Sequence, residues 1–379
     1  MAIGTTIKDI AQKAEVSPAT VSLVLNSKPG VGEATRRRIL QLAEEMDYSG
    51  PQRSFSPGAN EGTIRFLKIA RHGHIVNRDH NVFISDYIDG IVQAAKALRY
   101  KTEVTSFRTT PIEEIVATVA SQADLAGAIV LGTELNRDDV ITFQSTSVPL
   151  VFIDTFLDYV PFDFVDMNNN DSVFRVIQHL LQNGHREIGM VRSSVKTRNF
   201  SLRDTAFREG MRALGRTLNP LHVFNAYSTF TGAYQDMLRY LQGGASLPTA
   251  LFCTNDTIAF GVLKALREHG IRVPDDISVV GFDDLPTAAL LDPPLTSVAV
   301  SKREIGSTAM RRLDARIREG AMPPTKTVVG GTLVKRASVA RIGEPIHAVC
   351  YEPDQEKQPA AIHEEEKNDA LFSDTREPW

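Results

Sequence analysis

Three apolar runs end in acids or amides. VPLVFID ends in Asp154, TALFCTN ends in Asn255 with Asp256 next, and ISVVGFDD ends in Asp283 and Asp284. Carboxylates and Asn at strand ends accept from and donate to vicinal hydroxyls, so the set suits a sugar or a related polar small molecule. A carboxylate pair could also serve a glycosidase. No other catalytic device accompanies it: G-x-G-x-x-G, G-x-x-x-x-G-K-[ST], G-x-S-x-G and H-E-x-x-H are all missing from the sequence. The chemistry expected is ligand binding, with no catalytic residues, no cofactor and no metal. Asn255-Asp256 can in part be a helix cap, Asp284 reads better as a cap than as a ligand, and His185 in NGHREI reads as structural.

A second patch has different chemistry. Arg36-Arg37-Arg38 puts three cations in a row. The net charge of −4 argues against a polyanion partner, but its distribution reverses that. Residues 341–379 hold ten acids against four bases, a balance of −6, which leaves the other 340 residues at +2. Nucleic-acid binding follows local clusters rather than totals.

These residues must be positioned by a chain of 379 residues, enough for two or three domains. At 42% hydrophobic and 23% charged it has an ordinary globular composition. No apolar run approaches the ~20 residues that span a bilayer. The start, MAIGTTIKDIAQKAEV, has no apolar signal core. Cys253 and Cys350 are far apart and suggest neither a metal knuckle nor a disulfide framework. A cytoplasmic protein without a membrane partner is expected.

Four regions separate. Residues 1–48 read as short helices. Residues 49–62, SGPQRSFSPGANEG, carry three Gly and two Pro and read as a hinge or linker. From 63 to 340, strand-like runs alternate with helical patterns. The clearest strands are IRFLKIA (64–70), AGAIVL (126–131), VPLVFID (148–154), EIGMVRS (187–193), TALFCTN (249–255) and ISVVGFDD (277–284); 84–100 and 257–270 have helical spacing. Continuous apolar strands alternating with helices mean parallel sheets covered on both faces, and this length suits two similar lobes. The acidic tail, 341–379, has no periodicity and reads as disordered.

Within 1–48, Thr6 can cap a first helix with Ile7, Ile10, Ala11 and Ala14 on one face. Glu15-Val16 is a turn. VSPATVSLVLN follows, rich in β-branched residues that favour strands. Yet Ser17 can cap a helix and Pro18 fits its first position, where a missing N–H costs nothing. Val21, Val24 and Leu25 then face inward, leaving Pro18, Ala19 and Leu23 on the outer side. A third helix over about 33–46 turns Ile39, Leu42, Ala43 and Met46 inward. Two short helices across a tight turn make a helix-turn-helix, whose second helix can enter a major groove; a small helical cap without a ligand has the same pattern.

The stretch TIKDIAQKAEVSPATVSLVLN…VGEATRRRILQLAEEMDY resembles the N-terminal domain of the lac repressor (LacI/GalR) family. The resemblance resumes in HLLQNGHREIGMV (179–191), PTALFCTND (248–256), DDISVVGFDDLP (275–286), DPPLTSVAVSKREIG (292–306) and LVKR (333–336). It implies an all-α helix-turn-helix headpiece plus an α/β core of two doubly wound parallel-sheet lobes, periplasmic-binding-protein-like. It also implies a homodimer on a near-palindromic double-stranded DNA operator, with dimer contacts from core helices such as 84–99. By matching positions, Ser17, Pro18, Ala19 and Leu23 approach base edges, while Thr20, Ser22, Asn26, Thr35 and Arg36 hold phosphates; Thr6 joins this DNA-binding set. The effector, a carbohydrate by resemblance, would lie between the lobes. Arg203 matches the family's ligand-clamping arginine and Tyr227 an aromatic that stacks on a sugar ring. Asp154, Asn255, Asp283 and Phe83 complete that set.

Three departures sharpen the expectations. Leu23 stands where the family usually has Arg, so a bidentate guanine contact gives way to apolar contact with a thymine methyl or to shape readout. In the linker, Pro57 falls near the place of a leucine that wedges the minor groove, with Gly50, Pro51 and Gly58 disfavouring a hinge helix; Phe55 is a substitute wedge, and a flexible tether is the alternative. After the first core strand, Arg71, His72 and His74 replace a shorter Asp/Asn loop. Arg71 and His74 therefore join the effector candidates, and with Arg203 they suggest a negatively charged ligand. The function expected is a sequence-specific, effector-controlled transcriptional regulator, a repressor. A sugar-binding sensor without specific DNA binding is the alternative.

Overall fold

The structure, a computed structural model, describes residues 7–25, 31–46, 62–71 and 78–344. Two compact units divide the chain, Met1–Asn60 and Glu61–Trp379. Nearly all of the expected hinge and tail, with Thr6, Asn26, Phe55 and His74, lies outside the described residues.

In the first unit, α1 (Ile7–Ala14), α2 (Pro18–Leu25) and α3 (Glu33–Glu45) enclose a small core built on Ile10, Ala14, Val21, Val24 and Ile39. The α1–α2 turn is tight because Glu15 adopts φ 55°. Its N–H reaches Gln12 C=O at 3.3 Å, and Val16 N–H reaches Ala11 C=O at 3.0 Å, the Schellman closure usually given to Gly. Ser17 Oγ accepts from Thr20 N–H at 3.1 Å and caps α2. The β-branched stretch is thus a helix: the cap and Pro18 start it, and burial of Val21 and Val24 outweighs its strand propensity.

In the second unit the chain builds a first lobe from β1 (Thr63–Ala70), α4 (Arg78–Ala97), β2 (Lys101–Arg108), α5 (Ile112–Ala120), β3 (Leu125–Leu131), α6 (Arg137–Thr142), β4 (Leu150–Ile153) and β5 (Asp163–Met167). It crosses through α7 (Asn169–Gln182) to a second lobe of β6 (Ile188–Ser193), α8 (Arg198–Ala213), β7 (Val223–Ala226), α9 (Phe230–Gln242), β8 (Ala250–Cys253), α10 (Asp256–Glu268), β9 (Ser278–Val280) and β10 (Ser297–Ala299). It returns in α11 (Lys302–Glu319) and β11 (Lys326–Val329), and crosses back in β12 (Thr332–Val334). The first sheet runs β11-β5-β4-β3-β1-β2 and the second β7-β6-β8-β9, parallel throughout, with the antiparallel pair β10-β12 joined to β9 by isolated bridges. Alternate residues of β1 feed two cores: Ile64 and Phe66 pack toward α4 and α11, Leu67 and Ile69 toward α5. β3 is buried along its whole length, as a central parallel strand must be.

The run ISVVGFDD forms a shorter strand than its sequence suggests. β9 stops at Val280 because Asp283 (φ 110°) and Asp284 (φ 47°) turn the chain into a left-handed kink. Asp163 fixes α11 to the first sheet: it accepts from Arg312 Nε (2.8 Å), Arg316 Nε (2.5 Å) and Thr325 N–H (2.6 Å). Burial alone would raise its pKa, but Arg316, the Thr325 N–H and Arg312 together hold it below the ordinary value.

The tightest packing is between α4 and α11. A Cβ on Gly90 would stand 2.1 Å from Arg303 C=O, and one on Gly306 2.3 Å from Tyr87 C=O. The two glycines let backbone meet backbone, which fixes Tyr87 and Lys302 beside the lobe junction. Gly90→Ala should therefore destabilise the chain by about 3 kcal/mol or more, read as a lower midpoint in chemical denaturation; a change below about 0.5 kcal/mol would show that the helices slide apart freely.

Candidate functional site

The carboxyl ends of both sheets meet at a cavity of ≈ 40 Å³ between the lobes. Asp154 follows β4 with φ 57°, a left-handed backbone that aspartate tolerates better than most residues. Its Oδ1 accepts from Tyr87 Oη (3.0 Å) and Asn199 Nδ2 (3.1 Å), and its Oδ2 accepts from Thr133 Oγ1. Asn199, in the first turn of α8, belongs to the other lobe. The same amide lies 3.2 Å from Asp166 Oδ1, and its oxygen accepts from Asn169 Nδ2 at 2.8 Å. One side chain therefore ties the second lobe to two strand-end carboxylates of the first.

Arg203, one turn further along α8, is buried, and each of its nitrogens makes a hydrogen bond. Nε donates to Asn169 Oδ1 (2.9 Å), Nη1 to Thr254 C=O (2.7 Å) and Nη2 to Met167 Sδ (2.9 Å). Its guanidinium lies 3.8 Å from the Phe282 ring centre and 3.4 Å from Asp283 Oδ1, an ion contact too long and misaligned to be a hydrogen bond. Lys302 Nζ donates to Asp283 C=O (3.0 Å) and lies 3.6 Å from Asp86 Oδ2. Asp256 holds the β9 kink in place: its Oδ2 accepts from Leu285 N–H (2.7 Å) and its Oδ1 from Ser297 Oγ (2.6 Å). Asn255 caps α10 through Ile258 N–H (2.9 Å) and still lines the cavity.

The electrostatics follow from burial. Asp166 is pushed up to about 7 by burial and then by the charge of Asp154. Asp283 is raised to about 6 by burial, against the pull of Arg203 and Lys302. Burial also raises Asp154, although the Thr133 and Tyr87 hydroxyls oppose it. The left-handed backbone at Asp154 and Asp283 sets both carboxylates against the same cavity.

The structure thus brings Phe83, Asp154, Arg203, Asn255 and Asp283 to one cavity. Two other expected residues stand elsewhere. Arg71 is held by its neighbours: its N–H donates to Glu134, and its guanidinium reaches Thr110 C=O (3.2 Å) and Asp139 (3.4 Å) beside a separate hollow. Of the cations that suggested an anionic effector, Arg71 is thus engaged away from the cavity, Arg203 lines it, and His74 lies outside the described residues. Tyr227 is half-exposed past β7, packed by Gly232, and does not line the cavity. Sequence reasoning missed Thr133, Thr197, Asn199 and Phe200, which also line it. A clue for the last three was available, since they sit at a helix start following a strand, where open α/β sheets bind ligands. Asp284 pairs with Arg336 (2.7 Å), and His185 is buried between Thr249 Oγ1 and Ala340 C=O (3.1 Å each). A larger hollow, ≈ 820 Å³, lies between α9, α10 and residues 285–293. It carries no convergent buried polar set, so the small cavity is the candidate. Among the described residues no cluster could hold a metal ion, and no helix is long and apolar enough to cross a membrane.

In the first unit, Ser17, Pro18 and Ala19 are exposed on α2 and Thr20 and Leu23 half-buried; Leu23 takes no part in the core. Thr35 and Arg36 are half-buried at the start of α3, beside exposed Arg37 and Arg38. Ser22 lies in α2, its side chain outside the described residues. The sequence model of bacterial regulatory proteins of the lacI family matches residues 6–50, and that of the periplasmic binding protein-like domain matches 177–339. The chain belongs to the lacI family. Among relatives of this lacI-family protein, the HTH-type transcriptional repressor PurR of Aliivibrio salmonicida is 28% identical, over 83% of this chain and 92% of that protein. The ribose operon repressor of Haemophilus influenzae is 26% identical, over 88% and 98%. Similar solved structures include the lac repressor bound to ONPG in the repressed state (TM-score 0.65, 25% identity, 89% of this chain and all of that one) and a complex of the regulator CelR with cellobiose (TM-score 0.65, 24%, 88% and 99%).

The raised carboxylates give a pH dependence. Between the ordinary value of 3.8 and about 7, folded Asp166 keeps a proton that the unfolded chain has lost. Stability therefore falls as pH rises through that window. The melting temperature should drop between pH 5 and pH 8, and Asp166→Asn should flatten the drop and melt higher at pH 8 by about 2 °C or more. A variant that melts lower than the parent at pH 8 would contradict this.

Proposed function

We propose that this chain is an operator-binding transcriptional repressor whose cleft takes a carbohydrate effector. The observation that carries it is the presence, in one chain, of a capped helix-turn-helix and a cleft that gathers buried Asp, Asn and Arg at the strand ends of two lobes. Acids and amides there match the hydroxyls of a sugar, and the Phe83 and Phe200 rings can cover its C–H faces. The cavity, at ≈ 40 Å³, holds a few waters at most, so a sugar enters only when the lobes part. Ligand-driven opening and closing is then the switch, and linkage makes it reciprocal: effector shifts operator affinity as much as operator shifts effector affinity.

The repressor works in the cytoplasm as a homodimer on a near-palindromic operator, with half-sites about one helical turn apart. α4 leaves Val82 and Val92 on its outer face for a partner helix. On DNA, α2 presents Pro18, Ala19 and Leu23 to base edges, while Thr20, Ser22, Thr35 and Arg36 hold phosphates, with Thr6 and Asn26 alongside. None of the three base-facing side chains can read guanine bidentately, so readout rests on thymine methyls and DNA shape. Ser17 is both cap and contact. Phe55 serves as the minor-groove wedge.

Selection from a random duplex library with the full chain should recover near-palindromic sites whose affinity falls steeply with salt. Leu23→Arg should change the preferred base to guanine at one symmetric position, by about 1–3 kcal/mol of discrimination. Recovery of no preferred sequence would leave only the cleft's binding function, and an unchanged logo with Leu23→Arg would show that α2 docks differently.

A further inference from the structure

The walls of the cleft are over-supplied with negative charge. Asp154, Asp166 and Asp283 are each at least nine-tenths buried. Against these three acids are two buried cations, Arg203 and Lys302, and Lys302 is shared with Asp86, which also pairs with Arg303 (3.4 Å). Each Arg203 nitrogen makes one hydrogen bond within the protein and its guanidinium already faces Asp283, and Lys302 bridges Asp86 and the backbone of Asp283 while lying 4.9 Å from the Phe83 ring centre.

Acceptors are left over on the same walls. Asp283 lines the cavity, is 6% exposed, and its Oδ1 accepts no hydrogen bond; its one neighbour is the 3.4 Å ion contact with Arg203. Asp166 Oδ2, behind Asp154, is also buried without a donor. Asp154 lines the cavity and keeps lone-pair capacity on the oxygen bonded by Thr133. A neutral hydroxyl could fill these lone pairs but would leave the excess of buried negative charge as it is, and buried charge in excess of its partners is costly. An anionic group would meet two cavity-lining carboxylates beside Arg203, which already faces one of them.

We propose that the effector carries a protonated amine, as an aminated sugar does, and that the ammonium group is held by Asp283 and Asp154. The hydroxyls of the same ligand are bound as the carbohydrate reading requires, and the inference rests on that reading. Specificity for the amine lies in Asp283, whose free oxygen supplies both a hydrogen bond and the charge.

The test is calorimetry and thermal shift on the full-length protein at pH 7.5. The probes are matched sets: glucose, galactose and mannose; their 2-amino derivatives; the N-acetylated forms, which keep the bulk and lose the charge; and the corresponding uronic acids. At least one amino sugar should bind tenfold or more tightly than its neutral parent, its N-acetyl form and its acid. Asp283→Asn, checked for folding by retained operator binding, should cut that amino-to-neutral ratio tenfold or more while sparing the parent sugar. A neutral or N-acetylated sugar that binds as tightly as its amine, or an acid that binds best, overturns the amine assignment and leaves the carbohydrate reading standing. An unchanged ratio in the Asp283→Asn variant overturns the assignment of the ammonium to that residue. Failure of every probe to bind overturns the carbohydrate reading and the amine with it.

Discussion

The core's structure depends on keeping acidic side chains buried at the ends of parallel strands. Asp154, Asp166 and Asp283 lie in or against a cavity too small for bulk water, so their hydrogen bonds must come from the protein or from a ligand. Tyr87 and Thr133 serve Asp154 from its own lobe, and Asn199 of the opposite lobe serves both Asp154 and Asp166. Asn199 and Arg203, one turn apart on α8, reach strand ends of both sheets at once. The seam that satisfies the acids is therefore also the seam that closes the lobes. A ligand that supplies its own donors competes with this seam, which gives binding a direct route to a change of shape.

The scaffold around the seam is rigid where it must be and jointed where it can be. The two glycines of the α4–α11 crossing leave no room for sliding, and they carry Tyr87 and Lys302 to the junction. Asp163, clamped by two arginines and a backbone N–H, fixes the far end of α11 to the first sheet. Three chain crossings remain as joints. Gly330 and Gly331 occupy one, and a side chain on Gly330 would meet nothing within 4 Å. The left-handed backbone at Asp154 and Asp283 sets two carboxylates from different lobes against one cavity.

Much of this was legible in the sequence, for identifiable reasons. Strands buried on both faces announce themselves as apolar runs, so β1, β3, β4, β6 and β8 were read close to their ends. β2 alternates at an exposed edge, β5 (DFVDM) carries two acids, and β7 and β10–β12 are only three or four residues long, so no apolar run marked them. The α2 helix was readable because Ser17 and Pro18 state the start of a helix in local chemistry, which the β-branched content alone would have contradicted. At the site, strand-end acids were found by position, and Arg203 and Phe83 by resemblance. Asn199 was missed because an amide in a helix's first turn looks like solvated surface until tertiary structure sets two carboxylates around it. Arg71 was over-read for the opposite reason: it follows a strand, but Glu134, Asp139 and Thr110 claim it before any ligand can.

The central claim is that the Asn199 seam sets the lobe equilibrium that governs DNA binding. The most direct measurement is operator affinity of the full-length Asn199→Ala variant beside the parent chain, by fluorescence anisotropy on a selected operator. The variant leaves every proposed DNA-contacting residue in place. The account predicts a change of about fivefold or more in operator Kd, the usual scale of allosteric coupling. A folded variant with the parent's operator affinity would contradict it.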